Sequence, residues 1–333
     1  MQMIITVLKL FEENGASLLF FIDSQKISRN PRVSDAKTRS KILHGTVFTC
    51  IWEKPMKSIR LMAWLNLFST ILQIFFSYAT NAKLFNTRTV GEVSDTFNTL
   101  ATPAGFTFSI WGVIYTLMLL LTVYHLVRAY KASDNDLANV DVRRIGWWLF
   151  LNNLAAICWL FAWINEYIAA SVLIMLIQLV ALITITQRLR IYDQTRDASS
   201  RFLTQAPLSI YLGWISIATA TNIAAWFDHI GLNEGTISET IWTQLLIGLL
   251  VLLAVIVMVR RKNIFFGLVV IWALYGIAVK TRDLNADEYS IIIQTVWIGM
   301  ILLAFMVIVQ LITNYTRKRL QRKSSRLQHS HES

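Results

Sequence analysis

The sequence predicts an all-α integral membrane protein of about eight hydrophobic helices, and three observations predict it. Apolar residues make up 55% of the chain and charged residues 15%, with a mean hydropathy of +0.50, a balance too apolar for a domain dissolved in water. Long stretches without Asp, Glu, Lys or Arg recur along the chain, each near the roughly 20 residues a helix needs to cross about 30 Å of hydrocarbon. Lipid offers no partner for a stray backbone N–H or C=O, so each stretch must close its own hydrogen bonds as a helix.

Taken in order, residues 1–55 stand apart as an N-terminal extension. Ile4–Ile22 is apolar but interrupted by Lys9, Glu12 and Glu13, and Gln25–Lys41 is polar and basic. The apolar part is longer than the h-region of a signal peptide and no small-residue cleavage site follows, so it reads as a retained helix. Met56-Lys57-Ser58-Ile59-Arg60 before an apolar run has the form of a membrane-insertion start. The upstream segment is then either an appended arm or lies before the true translation start.

The spans follow as Ile59–Thr80, Ala104–Val127, Trp147–Asn165, Ile168–Gln187, Gln205–Phe227, Ile241–Val259, Ile264–Val279 and Ile291–Thr313. The seventh is the shortest and the weakest candidate for a full crossing. With the region before the first span placed inside, the inner loops and the basic tail 314–333 hold 17 Lys plus Arg and the outer loops 4. Basic residues are retained on the cytoplasmic side, so this split predicts an even number of crossings with both termini cytoplasmic. The tail cluster Arg317-Lys318-Arg319 and Arg322-Lys323 reads as part of that signal rather than as a headgroup site.

Several function classes lose support. The net charge of +11 sits in short clusters between apolar runs, which argues against a nucleic-acid face. Cys50 and Cys158 are far apart in the sequence and suggest neither a disulfide framework nor a cysteine metal site. No HExxH, CxxC, P-loop or GxSxG pattern occurs, leaving familiar hydrolytic and nucleotide enzymes without a motif. No charged residue lies centrally in any span, unlike the usual ion-coupled pump. His125 and His229 fall at span ends and read as interfacial.

The 12 tryptophans are the informative feature. Trp147, Trp148, Trp163, Trp226 and Trp242 lie near span ends, where indoles sit at headgroup level. Trp111, Trp159, Trp214, Trp272 and Trp297 lie deeper, where an indole N–H needs a buried partner or a ligand. Helical spacing aligns Phe108, Trp111 and Tyr115 on one face of span two; Asn152, Ala156, Trp159 and Trp163 on span three; and Tyr211, Trp214, Ala218 and Asn222 on span five. Such faces either pack helix against helix or wall a pocket for a large, flat, mostly apolar ligand. In the last three spans Trp272, Tyr275, Gln294 and Trp297 read as buried groups that line a second cavity or pack.

Two segments carry a resemblance. Tyr211-Leu212-Gly213-Trp214-Ile215-Ser216-Ile217-Ala218-Thr219-Ala220-Thr221-Asn222 resembles the fifth-helix signature of TspO/translocator proteins, Tyr-x-x-Trp-x-x-x-Ala-x-x-x-Asn, with Pro207 shortly before it. Thr102-Pro103-Ala104-Gly105-Phe106-Thr107-Phe108-Ser109-Ile110-Trp111-Gly112-Val113-Ile114-Tyr115 is similar to the Pro-rich, aromatic entry to that family's second helix. There are departures: Phe108 and Trp111 are one residue closer than in short members, and the Asn that usually precedes the third-helix Trp by three residues falls on Ala156, with Asn152 and Asn153 nearby.

The resemblance covers residues 56–228, and the longer tryptophan-rich sensory proteins are similar over 56–279. It implies a five-helix TspO-like core at 56–228 with about three additional transmembrane helices at 229–313, in a bacterial inner membrane. It also implies a pocket lined by Trp111, Tyr115, Asn153, Trp159, Tyr211, Trp214, Ala218 and Asn222, lidded by the loop Asn81–Thr102. The implied ligand is a tetrapyrrole such as protoporphyrin or haem, or another porphyrin- or sterol-like molecule. No cofactor is required, and a homodimer is implied. Binding or sensing is the leading function, with transport of an amphipathic solute and breakdown of bound porphyrin as alternatives.

The topology is checked with C-terminal fusions. A fluorescent protein that matures only in the cytoplasm should glow and a phosphatase active only outside should stay silent; the reverse pattern places the C-terminus outside and contradicts the predicted topology.

Overall fold

Ten helices account for most of the computed structural model, which describes residues 59–97, 99–190, 196–231 and 238–332. The N-terminal arm and the side chains of the basic cluster from Arg317 to Lys323 lie outside the described residues. In chain order the ten are α1 Ile59–Asn81, α2 Val90–Ser94, α3 Ile110–Lys131, α4 Leu137–Ile145, α5 Trp148–Ile164, α6 Ile168–Arg188, α7 Ala206–His229, α8 Glu239–Arg261, α9 Ile264–Asn285 and α10 Ser290–Glu332, with a 3-10 helix at Gly105–Ser109 and a single helical turn at Ala198–Ser200 besides. No strand occurs among the described residues.

Seven helices are long and apolar enough to cross a membrane, and α4 with α5, bent by 53°, brings the number to eight if the pair is counted as one span. The weak span is therefore the third, not the seventh. α5 alone has 17 residues, about 26 Å at 1.5 Å per residue. Gly146 causes the bend: its φ of +56° is one that glycine adopts without steric cost. The seventh span runs past Val279 to Asn285, 22 residues in all, because Lys280 and Thr281 continue the helix into protein packing. Thr281 is buried and returns its hydroxyl to Ile277 O at 2.7 Å.

α1, α3, α5, α6 and α7 form a ring in which α3 packs on α1, α1 on α5, α5 on α6, α6 on α7 and α7 again on α3. The three further helices join through α9, which lies against α7, with α8 and α10 packed on it. One hydrophobic core runs through both parts, from Ile114 and Met175 to Phe266 and Leu303. Small residues let the backbones approach: a Cβ on Gly213 of α7 would stand 3.1 Å from Val269 Cβ and 3.6 Å from Phe266 Cα of α9.

On the side of α4, Asp141 and Arg196 form a buried ion pair at 2.6 Å. Arg196 also donates to Ser200 Oγ at 3.1 Å and Leu189 O at 3.0 Å, so the pair ties α4 to the entry of α7. His125 sits here too. It is 1% exposed and bonded to Thr204 Oγ1 at 3.1 Å, not interfacial as its span-end position suggests, because the π-helical turn Arg201–Gln205 ahead of Pro207 packs over it.

The α7–α9 contact yields a stability test. Gly213→Leu has no room without moving α9 and should destabilise the protein by about 1–3 kcal/mol, read as a lower melting temperature in detergent, whereas Gly248→Leu, which meets open space, should leave it unchanged.

Candidate functional site

The first span contributes a polar stripe. Asn66, Ser69, Thr70, Gln73 and Ser77 repeat at helical spacing and are all buried, although each would cost energy in hydrocarbon unless partnered. Gln73 Nε2 donates to Tyr211 OH at 3.0 Å, and Asn152 Nδ2 donates to the same oxygen at 3.1 Å. Asn153 Nδ2 donates to Ser69 Oγ and Thr70 Oγ1, both at 3.0 Å. Tyr115 OH donates to Ser77 Oγ at 2.8 Å. These bonds fix α1, α3, α5 and α7 to one another around a phenol 0% exposed.

Beside this network the aromatic faces meet. Trp111 stacks on Tyr115 with centroids 5.4 Å apart and meets Tyr211 and Trp214 edge-on at 6.1 and 6.2 Å. Phe108 meets Trp214 edge-on at 6.1 Å. Trp159 stacks on Trp163 at 5.8 Å. They enclose a cavity in two lobes that share Phe108, Trp111 and Trp159. The larger lobe, about 310 Å³, lies toward α1 and is lined also by Ile74, Ser77 and Tyr115. The smaller, about 30 Å³, lies toward α7 and is lined by Trp163, Trp214, Ala218 and Asn222 among others.

Polar groups at the smaller lobe differ in how they are satisfied. Asn222 Oδ1 accepts from Trp159 Nε1 at 3.2 Å and from Ser171 Oγ at 2.9 Å, while its Nδ2 donates to Ala218 O at 3.0 Å. Trp163 Nε1 donates to Val90 O at 3.1 Å. Trp214 Nε1 is the exception: the residue is 2% exposed and its N–H has no partner among the described residues. A buried donor without an acceptor costs about 1–3 kcal/mol, and this one belongs to a residue in the wall of the lobe.

The loop between α1 and α3 closes the cavity. Thr89 and Glu92 cap α2 reciprocally, and the Lys83 ammonium bonded to Glu92 at 2.8 Å holds that carboxyl below the usual carboxylate range. Arg88 pairs with Glu166, and Asn86 donates to Ile164 O, so the loop is anchored to the end of α5. Val90 and Gly91 cover the larger lobe, Ser94 and Phe97 the smaller.

Of the expected site residues, Trp111, Tyr115, Trp159, Trp214, Ala218 and Asn222 line the cavity, whereas Asn153 and Tyr211 stand behind it in the hydrogen-bond network. Trp163 belongs to the wall rather than the headgroup level: it is 4% exposed because the lid packs over the end of α5. Gln73 and Ser77 escape a search for aromatics, yet the polar repeat in the first span is a signal that finds them. The added helices correct another reading. Tyr275, Gln294 and Trp297 are exposed, and Trp272, half-buried, donates to Thr107 O at 3.1 Å.

Residues 63–309 match the family model described as TSPO-like protein. The match spans most of the chain and runs through α8 and α9 into α10, so the chain belongs to the TSPO-like protein family and its additional helices lie within the matched region. No curated protein and no solved structure matches the chain.

Tyr211→Phe strands the donors of Gln73 and Asn152 without altering the cavity lining. It should lower stability by about 1–2 kcal/mol, visible in thermal unfolding, and leave ligand affinity within twofold of wild type.

Proposed function

We propose that this TSPO-like membrane protein is a binding or sensing protein for a flat, largely apolar ring compound bearing a hydrogen-bond acceptor, with protoporphyrin or haem as the leading class. The observation that carries the reading is the unpartnered indole N–H of Trp214 beside a cavity walled by Phe108, Trp111 and Trp159. Aromatic faces offer stacking to a ring, and one convergent donor fixes its orientation. A combined space near the low end of ligand pockets, about 300–1,000 Å³, means that a tetrapyrrole enters only if the lid moves outward. The role is binding rather than turnover, with both termini on the cytoplasmic side of a bacterial inner membrane.

A second reading, transport of an amphipathic solute, draws on the polar stripe of α1. It leads from Ser77 at the larger lobe to Asn66, whose side-chain amide is buried with both polar atoms unpaired among the described residues. Solute flux into liposomes containing the protein separates transport from binding.

The purified protein is titrated with protoporphyrin and haem, following tryptophan quenching. Saturable binding at micromolar ligand is expected. Trp214→Phe keeps an aromatic ring but loses the N–H and should bind about tenfold more weakly, equivalent to 1.4 kcal/mol. Equal affinity in the variant, or no saturable quenching, contradicts the reading.

A further inference from the structure

The segment joining lid to α3 is irregular and largely buried over residues 99–104 and forms a 3-10 helix at Gly105–Ser109. Thr99, Leu100, Ala101 and Thr102 are each 4–6% exposed and Thr107 is 0% exposed. Backbone groups in such a segment need partners from the protein, and several come from α8 and α9. Leu100 N donates to Glu239 Oε1 at 2.8 Å, and Ala104 N donates to Gly276 O at 3.1 Å. Thr107 O accepts from Trp272 Nε1 at 3.1 Å, and Thr99 O from Lys280 Nζ at 3.4 Å. Trp272, Gly276 and Lys280 are spaced by four, so one face of α9 supplies three of the four bonds.

Shape reinforces these bonds. Gly276 has no side chain where a Cβ would stand 3.0 Å from Pro103 Cβ and collide with Thr107, and the Phe106 ring meets Trp272 edge-on at 5.4 Å. The segment so held is one wall of the smaller lobe, which Thr102, Pro103 and Phe108 line.

We propose that α8 and α9 supply positioning residues for the cavity: Glu239, Trp272, Gly276 and Lys280 hold residues 99–107 against the bundle and thereby set how fast ligand enters and leaves. This rests on the binding function proposed above. It gives the added helices a part in the site although none of their residues lines the cavity. Glu239 and Trp272 act through the wall, so their loss changes rates of passage more than affinity.

Hydrogen exchange of the ligand-free full chain tests the hold directly. Peptides covering 99–104 should exchange at least tenfold faster in Glu239→Ala. Glu239→Gln, whose amide oxygen still accepts from Leu100, should exchange like wild type. Trp272→Phe, which keeps the ring and loses the donor, gives an independent variant with faster exchange of the same segment. In stopped-flow mixing with protoporphyrin, Glu239→Ala and Trp272→Phe should raise association and dissociation rates together by about three- to tenfold, with Kd changed less than twofold. Unchanged exchange at 99–104 in both variants, faster exchange spread through α5 and α7, or a raised Kd without faster association overturns the proposal. If wild type binds no protoporphyrin, the ligand reading fails, and localised fast exchange in Glu239→Ala still supports the hold on the wall.

Discussion

A polar group that leaves water for the interior of a membrane bundle must find its partner in the protein, and the architecture follows from meeting that demand. Tyr211 OH does so for Gln73 and Asn152 at once, which places α1, α5 and α7 around a single oxygen. Asn153 extends the tie to Ser69 and Thr70. Asn222 gathers Trp159 and Ser171, drawing α5, α6 and α7 together at the level of the cavity. The same demand underlies the part proposed for α8 and α9, which supply acceptors to the backbone of the irregular stretch 99–104 beside the smaller lobe. Of the buried side-chain atoms left without a partner among the described residues, the indole N–H of Trp214 is the one on a residue that lines the cavity, and it is the donor proposed to meet a ligand.

What the sequence made legible were features with a period. Charge-free stretches of span length located the membrane helices, and tryptophans three and four apart marked faces that do converge on a cavity. Features set by contacts between distant segments were not legible. Trp163 sits at a span end, but a lid folded over α5 buries it. Trp297 sits mid-span, yet α10 turns it outward at 48% exposure, since depth along a helix says nothing about which side faces lipid. The third span looked ordinary until Gly146 introduced a bend. Asn153 and Tyr211 read in the sequence as pocket-lining residues; their hydrogen-bond partners make them brace the cavity rather than line it.

The lid couples fold to function. Its anchors are of two kinds: surface ion pairs at Lys83–Glu92 and Arg88–Glu166, which are partly exposed and worth little individually, and backbone bonds from Leu100 to Glu239 and, just past the lid, from Ala104 to Gly276. The exposed half is therefore the easier to release, over the larger lobe, and the buried half the more firmly held, over Trp214. A ring compound lying across both lobes would rest on the stacked Trp111 and reach Trp214 only in the smaller lobe, so the firmly held half is the one whose release sets passage.

The most direct measurement is nuclear magnetic resonance of the indole N–H groups in tryptophan-labelled protein, with the Trp214 signal assigned by its loss in Trp214→Phe, before and after adding protoporphyrin. A ligand acceptor reaching Trp214 predicts a saturable downfield shift of that resonance, while the already bonded Trp272 N–H moves little. A Trp214 signal that stays in place while protoporphyrin binds would contradict the claim that the unpartnered donor of α7 orients the ligand.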